Sequence, residues 1–146
     1  MNNTKLYLSP ILDLYNGEIV SYTLYDRPTY KMVEEMIELA LKRPMKKKEL
    51  TIHSNQGWHY QMRQYQILLK SKNVKQSMSR KGNCLDNAAM ESFFGILKSE
   101  FFYRQEFLNT TDFRKQLEEY IHWYNHNRIK MKLNGLSPVQ YRKQSA

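Results

Sequence analysis

Residues 79–100 read SRKGNCLDNAAMESFFGILKSE, a polar segment followed by an amphipathic one. The polar, basic and glycine-containing part at 79–85 predicts a loop, and Asp86 is placed to cap a helix of about 87–103. Glu91 falls in the second turn of that helix, off its apolar stripe. The stripe has helical spacing and consists of Met90, Phe93, Phe94, Leu97 and Phe101. The stretch therefore predicts a helix that is anchored on one side and carries a carboxylate on the other.

The neighbours of Glu91 along the helix axis are Ala88, Gly95 and, two turns on, Lys98. Small residues beside a carboxylate leave room for a bulky substrate backbone, and a lysine on the same face can pair with phosphate. On the pattern alone, an ordinary solvated glutamate is the simpler interpretation.

The segments before and after this helix alternate between strand and helix patterns. Asn16-Gly17 between two apolar runs is a strong hairpin signal, because both residues tolerate positive φ, and it predicts strands at 5–14 and 18–25. The further expected elements are a helix over 29–43, a strand over 50–54, a helix of about 57–72, a strand over 74–78, a helix from Thr110 or Thr111, and a short helix from Ser137-Pro138. This order predicts a mixed α/β layer fold, in one domain spanning 1–146.

The composition narrows the class of partner. The chain carries 23 Lys and Arg against 14 Asp and Glu, a formal charge of +9, which favours a polyanion such as nucleic acid. No apolar run is long enough to cross a bilayer and no basic amphipathic anchor stands out, so no membrane partner is expected. A lone cysteine, Cys84, fits a reducing cytoplasm. The composition therefore argues against secreted, fibrous and membrane proteins.

A second polar segment, HSNQGWHY at 53–60, follows the predicted strand 50–54. Asn55 lies just past the carboxyl end of that strand, where α/β sheets place their ligands. His53 and His59 lack metal-ligand spacing, and Trp58 and Trp123 are interpreted as core or sheet-covering residues. Basic residues near the loop and in the tail are either a solvated surface or phosphate ligands, namely Arg80, Lys81, Arg128, Lys130 and Lys132.

The motifs together resemble the catalytic core of bacterial insertion-sequence transposases, in the retroviral-integrase-like, ribonuclease-H-like superfamily. The resemblance covers nearly the whole chain and rests on YLSPILDLYNGEIVSY, HSNQGWHY, SRKGNCLDNAAMESFFGILKSE, YIHWYNHNRIK and GLSPVQYR. The 35 residues between Asn55 and Glu91 match the spacing that this family shows between its second aspartate and its glutamate.

The resemblance implies a ribonuclease-H-like mixed sheet with flanking helices, and DNA as the partner. It also implies a site in which two aspartates and a glutamate hold two Mg²⁺ or Mn²⁺ ions for DNA strand cleavage and strand transfer. Glu91 corresponds to the glutamate, Lys98 to a DNA-contacting lysine, and the loop Ser79 to Asn83 would border the site.

Two departures from the family pattern change the expected activity. Asn55 stands where the family has its second aspartate, and a neutral amide binds a cation more weakly than a carboxylate. The first aspartate is expected on a central strand preceding YLSP, so the chain is interpreted as truncated at its N-terminus, with two exposed strand edges. Asp13 is interpreted as a hairpin-end residue rather than a substitute acid. A catalytically defective core with weak or lost metal binding is expected.

Two alternatives stay open. The chain could be a non-enzymatic DNA-binding or dimerising module that modulates an intact transposase, or a gene remnant without a selected role. A DNA-binding or dimerising module could form a homo-oligomer or a complex with intact transposase. The expected location of the chain is the bacterial cytoplasm, at the nucleoid.

Overall fold

A computed structural model describes residues 5–42, 50–54, 62–78 and 88–144 of the chain. Its strands are β1 (Tyr7–Leu12), β2 (Ile19–Tyr25), β3 (Leu50–Ser54) and β4 (Val74–Met78). Its α-helices are α1 (Tyr30–Leu41), α2 (Arg63–Ser71), α3 (Ala88–Glu100), α4 (Thr110–His126) and α5 (Pro138–Gln144). The predicted order of elements is confirmed, whereas the predicted N-cap Asp86 lies outside the described residues.

The predicted hairpin is present, but its turn is wider than the Asn16-Gly17 pair suggested. β1 and β2 are antiparallel, with Tyr7 opposite Tyr25 and a register shift between Ile11 and Leu12. Asp13 N–H donates to the Glu18 carbonyl at 2.9 Å, and Gly17 N–H donates to the Asp13 carbonyl at 2.7 Å. Gly17 has φ +77°, whereas Asn16 is not among the residues with positive φ, so of this pair only Gly17 adopts the left-handed conformation.

The other two strands pair in the parallel sense, with Leu50 opposite Val74 and Ser54 opposite Met78. α2 provides the crossover that a parallel connection requires. Within the described part of the chain, β1–β2 and β3–β4 form two separate two-stranded sheets. These residues therefore do not form one continuous sheet.

Two apolar clusters hold the layers together. One packs β2 against α3 and α4 through Ile19, Leu24, Phe93, Leu97, Phe101, Phe113, Leu117, Ile121 and Tyr124. The other packs α1 against α2 and β4 through Val33, Met36, Ile37, Tyr65, Leu69 and Val74. Thr23 and Ser21 of β2 donate their hydroxyls to the α1 carbonyls of Met32 and Met36, both at 2.8 Å. These bonds satisfy polar groups that burial would otherwise leave unpaired.

The helix boundaries follow local chemistry. Asn109 caps α4 by accepting the Asp112 N–H at 2.8 Å, which explains the start at Thr110. α5 begins with a reciprocal capping box, in which Ser137 Oγ accepts the Gln140 N–H and Gln140 Oε1 accepts the Ser137 N–H. α3 ends at Glu100, earlier than the predicted 103, and a 3₁₀ turn over Phe102–Arg104 follows.

Candidate active site

The exposed side of α3 displays Glu91, Gly95 and Lys98. Phe93 and Leu97 are buried on the opposite side, so packing against β2 and α4 fixes the rotation of the helix. Glu91 lies in the first turn and Lys98 in the last, an arrangement that complements the helix dipole. Lys98 follows Glu91 by seven residues, which corresponds to about 10 Å along the helix axis. The structure thus places a carboxylate and an ammonium on one solvent-facing stripe.

Gly95 lies between those two charges and leaves the surface of α3 low. A Cβ atom added to Gly95 would meet no other atom within 4 Å. The glycine is therefore not required by packing inside the protein. Its absent side chain instead leaves open space beside Glu91, which agrees with the suggestion that a bulky molecule could approach there.

Several residues singled out in the sequence lie outside the described residues, namely Asn55, Arg80, Lys81 and the loop Ser79 to Asn83. Their roles stay predictions. Within the described ranges, no group of three or more His, Cys, Asp or Glu side chains could hold a metal ion. Of Glu91 and Asn55, the two residues expected to bind metal, only Glu91 lies within the described residues.

Arg128 faces a carboxylate of the protein itself. Its guanidinium Nε donates to Glu100 Oε1 at 2.9 Å, and its second terminal nitrogen donates to Oε2 at 2.7 Å. The Tyr120 hydroxyl donates to the same carboxylate at 2.8 Å. The hydrogen bond from Arg128 lowers the pKa of Glu100. This pairing ties α3 to the segment after α4 and does not favour the phosphate contact predicted for Arg128.

Lys130 is half-buried between α4 and the hairpin loop. Its Nζ donates to the Tyr124 hydroxyl at 2.7 Å and lies 4.6 Å from the centroid of that ring. Burial, reinforced by the nearby charges of Arg128 and Lys132, lowers the pKa of Lys130. A Cβ on Gly17 would lie 2.8 Å from Nζ. Lys130 therefore has a packing role here, whereas Lys132 and Lys98 are exposed.

Three other sequence interpretations can be compared with the structure. Asp13 accepts the Tyr15 N–H at 2.9 Å through its carboxylate, as a hairpin-end residue does. His53 contacts Ser77 Oγ through Nδ1 at 2.9 Å, which fits a structural role. Trp123 was interpreted as a core or sheet-covering residue, and its 44% exposure contradicts the first of these two alternatives. The buried stripe of α4 passes through Ile121 and Tyr124, and Trp123 lies off it.

A polar junction between the hairpin loop and the C-terminal segment was not predicted from the sequence. Buried Glu18 pairs with Arg142 at 3.0 Å, and Asn16 Nδ2 donates to the Pro138 carbonyl at 3.0 Å. Asn125 bonds both backbone groups of Ile19. These residues lie within the quoted motifs, but nothing in their local pattern indicates that the motifs meet.

Comparisons with known proteins agree with this fold. Two models described as integrase core domain match residues 1–84 and 91–146. The putative transposase InsK for insertion sequence element IS150 of Escherichia coli (strain K12) is 52% identical over 145 residues. That alignment covers 99% of this chain but 51% of the relative, so the chain spans about half the length of that protein.

Solved structures with little sequence identity share the fold. The simian T-cell lymphotropic virus intasome, determined by cryo-electron microscopy in complex with PP2A regulatory subunit B56 gamma, matches 96% of this chain and 49% of that chain at 19% identity, with a TM-score of 0.79. The HTLV-2 integrase catalytic core domain in complex with magnesium matches 93% of this chain and 82% of that chain at 16% identity, with a TM-score of 0.63. No helix in the described ranges is long and apolar enough to cross a membrane.

Proposed function

We propose, from the fact that this chain belongs to the integrase core domain family, that it is the core of an insertion-sequence transposase with an impaired strand-cleavage and strand-transfer site. The observation that carries the proposal is the exposed stripe of α3, where Glu91 and Lys98 flank an open glycine surface. An exposed lysine on the same helix face as the carboxylate suits a site that must accept a phosphate backbone. DNA is the expected partner.

Glu91 would act as a ligand for Mg²⁺ or Mn²⁺, since hard cations prefer carboxylate oxygens. The HTLV-2 core with bound magnesium supports this assignment. The described residues do not offer a complete donor set, because no group of three or more His, Cys, Asp or Glu side chains occurs among them. We therefore assign no reaction step to a metal ion in this chain.

Asn55 is the proposed cause of the impairment. An amide oxygen can coordinate a cation but carries no net charge, so the electrostatic attraction of a second carboxylate is lost. Asn55→Asp should tighten Mg²⁺ binding about tenfold, equivalent to about 1.4 kcal/mol, as measured by isothermal titration calorimetry. Asn127→Asp, which adds the same charge on an exposed surface, serves as the control. Equal gains in both variants would contradict the proposal.

Strand cleavage is tested directly with supercoiled plasmid and Mg²⁺ or Mn²⁺. The chain should nick the plasmid no faster than its Glu91→Gln variant. Metal-dependent nicking that Glu91→Gln abolishes would mean that the site is active despite Asn55.

We assign the exposed residues Lys98 and Lys132 to contacts with DNA phosphates. Arg80 and Lys81, which lie outside the described residues, are assigned to phosphates from the sequence. Each phosphate contact adds about 0.9 to the slope of log affinity against log salt concentration. Lys98→Gln and Lys132→Gln should each reduce that slope by about this amount. Lys31→Gln, at an exposed position of α1 on the other side of the hairpin, should leave the slope unchanged. A slope that does not change in any variant would eliminate these contacts.

The alternative is a non-enzymatic module that binds DNA or dimerises with itself or an intact transposase. The charge of +9 favours it, because phosphate binding needs neither Glu91 nor a metal. DNA affinity that is insensitive to Glu91→Gln and to divalent ions would support the module, and sedimentation of the chain alone would show whether it dimerises. Binding of this kind would place the chain at the nucleoid.

A further inference from the structure

A pair of histidines on α4 lies outside the proposed DNA site. His122 and His126 are four residues apart, and both are exposed. Their rings are stacked, with centroids 4.3 Å apart and planes at 26°. Because residues at this spacing share one helix face, both imidazoles project from the same side of α4.

The surroundings of the pair combine charged groups with open space. Desolvation and the neighbouring His122 lower the pKa of His126. Arg142 and Lys143 act in the same direction on that pKa, whereas Glu18 opposes them. Arg142 is paired with Glu18, so its charge is largely compensated. Next to His122 lies an open depression of about 490 Å³, also lined by Lys115, Glu118 and Glu119.

We propose that His122 and His126 form a two-ligand site for a borderline divalent cation of the Zn²⁺ class, with water completing the coordination. Two imidazoles at i and i+4 of a helix are a recognised arrangement for binding Zn²⁺. Imidazole nitrogen suits Zn²⁺, Ni²⁺ and Cu²⁺, whereas Mg²⁺ prefers oxygen. The site is therefore chemically distinct from the carboxylate site at Glu91, and the inference does not depend on the proposed function.

Zinc chloride titrated into the untagged chain, followed by calorimetry, tests the site. His122→Gln and His126→Gln should each weaken Zn²⁺ binding by at least about tenfold. Mutation of a residue that only hydrogen-bonds to a metal ligand commonly lowers metal affinity by this factor, so loss of a ligand itself should cost no less. His53→Gln is the matched control, because His53 is also exposed but contacts Ser77 instead of a second histidine. Excess Mg²⁺ should not displace the Zn²⁺.

A relocated histidine separates chelation from simple histidine content. The double variant His126→Gln with Asn127→His keeps the number of histidines but moves one ring to the C-cap of α4, out of the i, i+4 spacing to His122. It should bind Zn²⁺ as weakly as His126→Gln. Wild-type affinity in this variant, or in His122→Gln and His126→Gln, would overturn the proposal, as would an equal loss in His53→Gln. Far-ultraviolet circular dichroism verifies that each variant is folded.

Discussion

The carboxamide of Asn125 forms two hydrogen bonds with the backbone of Ile19, although 106 residues separate them. Its Oδ1 accepts the Ile19 N–H at 2.8 Å, and its Nδ2 donates to the Ile19 carbonyl at 3.0 Å. Ile19 opens β2 and Asn125 lies near the end of α4. The clasp therefore joins the hairpin to the helix that covers it.

Asn125→Ala should lower the free energy of unfolding by about 2–3 kcal/mol, because it leaves the N–H and C=O of Ile19 without partners. Urea denaturation measures this change. Asn127→Ala, a loss of the same side chain from an exposed position two residues away, should change stability by less than about 0.5 kcal/mol. Equal effects would indicate that the clasp contributes nothing.

Glu18→Gln should destabilise the protein by about 1–3 kcal/mol, since it removes the charge that Arg142 faces. Glu18 is buried and also accepts from Asn16, so its carboxylate organises the loop. A double-mutant cycle with Arg142→Gln isolates the pair. A coupling energy near zero would contradict the assigned interaction, and Lys143→Gln provides an adjacent charge control.

Glu100 makes stability depend on pH on the acid side. Its pKa is lowered in the folded state, chiefly by the hydrogen bond from Arg128. A lowered folded pKa means that the stabilisation is present above the unfolded pKa and is lost as pH falls through the folded one. Unfolding measured from pH 7 to pH 3 should therefore show a shallower decline in Glu100→Gln than in the wild type. Glu106→Gln, at an exposed position, should keep the wild-type decline.

Gly17→Ala should cost more stability than Gly135→Ala. Both glycines have φ +77°, so alanine is strained by about 1 kcal/mol at either position. Only at Gly17 would the new Cβ also meet Lys130 Nζ, at 2.8 Å. Thermal unfolding measures the difference, and adding Lys130→Ala should bring the cost of Gly17→Ala down to that of Gly135→Ala.

Gly95→Ala should stabilise the protein by about 1 kcal/mol, because alanine is the better helix former and the added methyl group meets open space. If DNA approaches this surface closely, the same change should lower DNA affinity. A stabilised variant with unchanged affinity in a filter-binding assay would show that DNA does not pass over Gly95.

The α3 stripe shows how much local pattern can predict. The spacing of Phe93, Leu97 and Phe101 indicated the buried side, so Glu91 and Lys98 were correctly expected on the other. The basic tail was less predictable. Arg128, Lys130 and Lys132 are equally cationic in sequence, yet Arg128 pairs with Glu100 and Lys130 packs on Tyr124.

Sequence by itself determined the helices, the hairpin, the two further strands and the family, because periodicity, caps and motifs can be recognised in the linear order of the residues. That the two further strands pair, and in the parallel sense, came from the structure. Tertiary structure alone decided which charges face inward and how the hairpin loop meets the C-terminal segment. Glu18 and Arg142 are 124 residues apart, and Asn16 and Pro138 are 122 apart. Such contacts form only when separate layers pack together, and burial then makes a specific hydrogen-bond partner necessary for each polar group.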